Sequence, residues 1–190
     1  MSSNITKVAV IGTGVIGAGW IIRALTHNKK VTAFDKDIKL KKKLIKEIKR
    51  TWPYVKKLFN KKKLNLNKLK FVDSIKEVVK DADFIQECVT ENYSLKTKLM
   101  YDIGKYNIRV NAICPGTIKG DRMKRVIRDK AKFIKLSAKK IESDFISMAS
   151  MKTWINEEDI GNMCAHLISD EANKVSGQVI AVDGNTERMD

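Results

Sequence analysis

Short apolar runs alternate with longer stretches in which apolar residues recur every three or four positions, the pattern of strands and amphipathic helices laid down in turn. Lys7 to Ile11 (KVAVI) predicts a first strand, Val15 to about His27 a helix and Val31 to Asp35 (VTAFD) a second strand, so the chain opens β-α-β. Ile38 to about Asn60 is a Lys-rich helical stretch in which Pro53 is expected to end one helix and start another. Lys70 to Val72 predicts a short strand, and Ser74 with Glu77 forms a capping box for the next helix. Ala82 to Val89 predicts another strand and Ser94 to about Ile103 a helix that Gly104 closes in the left-handed conformation. Ile108 to Cys114 and Gln178 to Val182 are the last two predicted strands. Between them, Arg122 to Lys132 and Ala138 to Met148 predict two helices of a flap at about 117–150, and Asn156 caps a further helix running to about Ile168.

Strands separated by helices imply a parallel sheet covered on its faces. The expected fold is α/β, a Rossmann-like, doubly wound, mostly parallel sheet of about six strands with a helical flap. At 190 residues one domain is the default. That domain has two parts, 1–103 and 104–190.

Composition narrows the function classes. The net charge of +16 arises from 31 Lys and 7 Arg against 22 acids, with 12 of the Lys between Lys36 and Lys63. Clustered cations attract polyphosphates, but Lys is a strongly hydrated point charge, whereas Arg forks onto phosphates and bases. A solvated helical face is therefore favoured over a nucleic-acid partner. Cys88, Cys114 and Cys164 are odd in number, widely spaced and set in apolar runs, which suits reduced thiols in a cytoplasmic protein and implies no metal site. No apolar run approaches membrane-spanning length, so no membrane partner is expected.

The strongest chemical signal is IGTGVIGAGW, where Gly12, Gly14 and Gly17 form G-x-G-x-x-G directly after a strand and at the opening of a helix. Gly12 makes a tight turn, Gly14 lets backbone approach a pyrophosphate, and Gly17 lets helix and strand pack closely. Val15 and Ile16 share that helix's first turn, where free N–H groups and the dipole favour a diphosphate. Asp35, at the end of the second strand, suits the adenosine ribose hydroxyls and repels a ribose phosphate, which favours NAD.

KVAVIGTGVIGAGW, VTAFDKD, WPYVKKL and FVDSIKEVVKDADFIQECVTENYSLKTKLMYDI resemble the NAD-binding domain of the 3-hydroxyacyl-CoA dehydrogenase superfamily, closest to its carnitine dehydrogenase branch, over about residues 5–103. The resemblance implies ribose contact by Asp35 and nicotinamide-side contacts by Glu91 and Lys96, for which a capping acid and a surface cation are the alternative. KYNIRVNAICPG and WINEEDIGNMCAHLISDEANKVSGQVIAVDGNTE resemble instead the C-terminal third of short-chain dehydrogenases/reductases, from about Lys105 to Glu187. There Pro115 and Gly116 match a pair lining the cofactor, Gly120 stands where many members have a nicotinamide-binding Thr, and the last strand lies at an oligomer interface, which implies a homo-oligomer.

The chain thus resembles a fusion of two dehydrogenases, and the catalytic groups of both fall away. The first family places a base His after its cofactor domain; here His27 ends the first helix and His166 lies inside a late one, both better suited to capping or core roles. The second uses a Tyr-x-x-x-Lys helix; Tyr101 and Lys105 have that spacing but span the join of the two resemblances. No catalytic residue is assigned beyond those two candidates. The expectation is an NAD(H)-binding protein of the oxidoreductase class, related to dehydrogenases of 3-hydroxy acids or 3-hydroxyacyl-CoA. The alternatives are an active NAD-dependent dehydrogenase and a vestigial fusion product with a structural or nucleic-acid-binding role.

Overall fold

The computed structural model describes residues 5–37, 39–61 and 63–186. It divides into two compact units, with the division between Ile108 and Arg109.

In the first unit, β1 (Lys7–Ile11), β2 (Lys30–Phe34), β3 (Leu69–Val72) and β4 (Phe84–Glu87) form a parallel sheet in the order β3-β2-β1-β4. Parallel neighbours need crossovers, and α1 (Val15–Thr26), α2 (Leu40–Leu58) and α3 (Ile75–Val79) provide them. The chain steps outward from β1 to β3 and then returns to the other side of β1. This reversal creates a switch point between the C-terminal ends of β1 and β4.

A central parallel strand is covered on both faces, so it must be apolar throughout: Ala9 and Val10 are fully buried and Ile11 nearly so. From α1, Ala18, Ile21, Ile22 and Leu25 pack at helical spacing against Val8, Val10, Val31 and Ala33, and Leu44 and Ile48 of α2 complete the core. Asp83 fastens the start of β1. Its Oδ2 accepts from the Thr6 amide at 2.7 Å, the Thr6 hydroxyl at 2.9 Å and the Lys7 amide at 2.8 Å.

Pro53 does not divide the second helix. α2 continues from Leu40 to Leu58 with Pro53 inside it, because Ile45 before the proline and Val55 after it both pack on the same core, and that burial outweighs the lost backbone bond. Ile38, where the helix was expected to begin, lies outside the described residues. Ser74 caps α3 by accepting from the Glu77 amide at 3.2 Å, but the expected capping box is not completed, because the Glu77 carboxylate reaches back to the Asp73 amide at 3.4 Å rather than to that of Ser74. α4 (Tyr93–Gly104) keeps Gly104 as its last helical residue. The left-handed position is Asn107, at φ 58°, a residue that tolerates it through local side-chain hydrogen bonding.

In the second unit, β5 (Ala112–Pro115) pairs in parallel with β6 (Val179–Val182). All six expected strands form within a parallel α/β architecture, but they hydrogen-bond as sheets of four and two rather than as one of six. Residues 108–111, expected to begin the fifth strand, direct their polar groups to the turn before β6. The Gly177 amide donates to the Val110 carbonyl at 2.7 Å, and the Val110 amide to Ser176 Oγ at 3.1 Å. Arg109 completes this junction by donating to the carbonyls of Leu167 and Val175 at 2.5 and 3.4 Å.

The flap helices are α5 (Asp121–Ile134) and α6 (Ala138–Ser147), joined over a small core of Ile127, Ala131 and Ile141. α7 (Glu157–Ile168) opens with a capping box between Asn156 and Asp159.

Candidate functional site

The glycine loop sits at the switch point of the four-stranded sheet and is held from both neighbours. The Gly12 amide donates to the Phe34 carbonyl at 2.9 Å and the Cys88 amide to the Ile11 carbonyl at 2.7 Å. Gly12 has φ +93°, and a Cβ there would lie 2.6 Å from the Cys88 carbonyl group, so both conformation and space require glycine. A Cβ on Gly17 would run into the Gly12 carbonyl oxygen. Gly14 differs, because a Cβ there meets nothing within 4 Å. That open side is where a ligand can approach the backbone.

Gly14 is the N-cap of α1; among the described residues no side chain caps this helix, and no acid lies in its first turn. The first N–H groups of a helix have no intrahelical partner. Here they stay available at the positive end of the dipole. Val15 and Ile16 are 83% and 70% exposed, so the first turn faces solvent.

Asp35 follows β2 and is tied to the loop by a contact the sequence did not reveal. Its Oδ2 accepts from the Thr13 amide at 2.6 Å and the Thr13 hydroxyl at 2.9 Å, with Thr13 itself buried. Among the described residues, its Oδ1 accepts from the Asp37 amide alone, at 3.2 Å. One oxygen therefore fixes the carboxylate while the other retains acceptor capacity. The only advance signal was a hydroxyl residue between the first two glycines.

Glu91 and Lys96 are brought together. Lys96 Nζ lies 2.6 Å from Glu91 and 3.4 Å from Glu87 at the end of β4, and the bond from Glu91 chiefly raises the Lys96 pKa, so the amine stays charged. Beneath the loop, burial first and then the charge of Glu87 push the Cys88 thiol up to about 11. Pro115 ends β5 in the other unit, where it pairs with Val182, and a Cβ on Gly116, the next residue, would lie 2.7 Å from Asp183. Gly120 is the N-cap of α5.

Tyr101 and Lys105 are neighbours, but the amine faces the ring rather than the hydroxyl, 4.5 Å from its centroid. The amine also donates to Asp102 at 3.0 Å, a bond that raises its pKa, and Tyr101 is 70% exposed. His27 pairs through Nδ1 with the Arg23 carbonyl at 2.9 Å, as a helix-ending residue does. His166 lies 3.9 Å from Glu171.

A parallel sheet in the order β3-β2-β1-β4, with a three-glycine loop opening α1 and an acid closing β2, defines a dinucleotide-binding domain of the dehydrogenase type. The chain belongs to the family of the 3-hydroxyacyl-CoA dehydrogenase NAD-binding domain, whose family model matches residues 7–137. NAD is the cofactor of that family's domain. Residues 94–185 match a second model, that of enoyl-(acyl carrier protein) reductase. Among curated proteins, L-carnitine dehydrogenase of Oceanobacillus iheyensis is 47% identical over 100 residues, covering 53% of this chain and 33% of the relative. That of Staphylococcus epidermidis is 38% identical over 100 residues, covering 53% and 31%. The chain thus spans about a third of the length of the curated relatives it matches.

Among solved structures, L-sorbose reductase from Gluconobacter frateurii, complexed with NADPH and L-sorbose, matches at TM-score 0.53 with 17% identity over all of both chains. The N-domain of a bacterial malonyl-CoA reductase with NADP matches at 0.54 with 15% identity, over 96% of this chain and 51% of that one. At such identity these show the fold alone. Taken together, the chain is of the NAD-binding oxidoreductase class, related to 3-hydroxyacyl-CoA and carnitine dehydrogenases and to short-chain dehydrogenases. Among the described residues, no helix is long and apolar enough to cross a membrane.

Proposed function

We propose that the chain is an NAD(H)-binding module that holds the cofactor without turning it over. The observation that carries this reading is the uncapped start of α1, open at Gly14 and flanked by the Thr13-anchored carboxylate of Asp35. The first-turn N–H groups after Gly14 would take the diphosphate, Asp35 the ribose hydroxyls, and Glu91 and Lys96 the nicotinamide side. Asp35 disfavours a ribose phosphate by like charge, so NAD is preferred over NADP. Bound NAD would supply a hydride acceptor. Among the described residues, neither family's base is in place for the substrate hydroxyl, since Lys105 is engaged by Asp102 and both His27 and His166 sit at helix ends or beside a carboxylate.

Kinship with L-carnitine dehydrogenases supports a 3-hydroxy acid or acyl-CoA as the small-molecule class the ancestor handled. Free Cys88, Cys114 and Cys164 support a cytoplasmic location. The test is a paired measurement on the full chain: NADH binding by fluorescence, and turnover with L-carnitine and 3-hydroxyacyl-CoA. Binding without turnover is expected. Turnover that disappears in Tyr101→Phe would overturn the reading and restore the dyad.

A further inference from the structure

The flap helices carry a charge arrangement that the cofactor reading does not use. From Lys119 to Lys140 there are ten Lys and Arg against two acids, and three of the chain's seven Arg lie on α5. Arg125 and Arg128, one turn apart on the same helix face, line a groove of about 480 Å³ between α5 and α6, with Asp121 and Lys124 beside them, Ile127 at its apolar side and Glu142 on the opposing helix. A groove of that size suits a small molecule rather than a macromolecule.

Only part of the groove's charge is consumed internally. Lys124 is tied to Asp121 at 3.2 Å and Lys140 to Asp144 at 2.7 Å. Arg125, Arg128 and Glu142, by contrast, make no ion pair and no side-chain hydrogen bond among the described residues. Two guanidinium groups thus stand on one wall, beside the Asp121–Lys124 pair whose charges offset each other, and a carboxylate stands on the other. A guanidinium matches phosphate oxygens with parallel N–H donors, and a carboxylate opposite rejects a second anionic group while favouring an ammonium. Packed helix axes lie about 8–10 Å apart, a span that a phosphate and an ammonium separated by two carbons can bridge.

We propose that the α5–α6 groove binds a small phosphomonoester bearing an ammonium group, with Arg125 and Arg128 on the phosphate and Glu142 on the ammonium. None of these residues belongs to the proposed cofactor site, so this inference and that reading fail independently.

The probe is phosphoethanolamine, compared with inorganic phosphate by calorimetry on the full chain at constant ionic strength. Phosphoethanolamine should bind saturably and about tenfold more tightly than inorganic phosphate, a difference of about 1.4 kcal/mol. Arg125→Gln and Arg128→Gln should each weaken it by about tenfold. Lys140→Gln, outside the groove, should leave it unchanged. Glu142→Gln should act with opposite signs, weakening phosphoethanolamine and strengthening inorganic phosphate. That sign reversal is not produced by loss of fold or by general screening, and circular dichroism of each variant checks the fold directly. No saturable binding of phosphoethanolamine, equal affinity for the two probes, or a Glu142→Gln effect of the same sign on both would overturn the proposal.

Discussion

Replacing Gly14 by alanine separates cofactor binding from folding, because this glycine alone of the three has room for a side chain. Its φ and ψ of −64° and −164° lie in extended space open to any residue, and a Cβ there meets nothing within 4 Å. Alanine is a poorer N-cap than glycine but restricts the unfolded chain, so stability should move by less than about 1 kcal/mol. A diphosphate reaching the first-turn N–H groups of α1 must approach through that same space. A methyl there should cost about two charge-assisted hydrogen bonds at roughly 1.5 kcal/mol each, more than a hundredfold in Kd. Gly17→Ala is the contrasting perturbation, since its Cβ meets the Gly12 carbonyl oxygen and lies 3.5 Å from Cys88 Cβ. Forcing β1 and α1 apart should cost about 1–3 kcal/mol of global stability as well as binding. Urea melts and NADH titrations of both variants make the assay. Unchanged NADH affinity in Gly14→Ala, or destabilisation as large as that of Gly17→Ala, would mean that the diphosphate does not approach through Gly14.

Other predictions concern stability and reactivity. The Thr6 and Lys7 amides hold the Asp83 carboxyl below its usual value. Its contribution is therefore complete above the unfolded carboxylate pKa of about 3.9 and is lost as pH falls through the lower native value; Asp83→Ala should cost about 1–2 kcal/mol near neutral pH, discounted for exposure, and flatten the acid limb of the urea midpoint against pH. Cys88, at about 11, is about one part in a thousand thiolate at pH 8, so a disulfide reagent should label exposed Cys114 well before half-buried Cys88, and urea should close the gap; equal native rates would contradict the raised thiol pKa. Pro53→Ala restores a backbone donor inside α2 and should raise the urea midpoint by up to about 3 kcal/mol of stability, whereas a lower midpoint would mean that the packing of Val55 depends on the proline.

What the sequence disclosed follows from whether a residue's role is local. β1, α1 and their loop were legible because a doubly buried strand, a helical repeat and three glycines are each written in consecutive residues, and Ser74 and Asn156 announced their helices through the same short-range chemistry. Pro53 misled because the backbone penalty is local while the compensating burial of Ile45 and Val55 is tertiary. Gly104 was a reasonable left-handed position, yet the helix kept it and Asn107 took that conformation three residues later. Residues 108–111 have strand composition, but their backbone bonds go to the 175–178 turn, a pairing between positions more than sixty residues apart. For the same reason Thr13 with Asp35, and Asp83 with Thr6, were invisible: each joins residues that only the folded sheet brings together.

If the loop from Gly12 to Gly17, with Asp35, holds NAD(H), fluorescence titration of the whole chain with NADH, run beside NADPH, should give a saturable NADH signal, weaker binding of NADPH, and a reversal of that preference when Asp35 is replaced by serine. Absence of saturable NADH binding at millimolar cofactor would contradict that role.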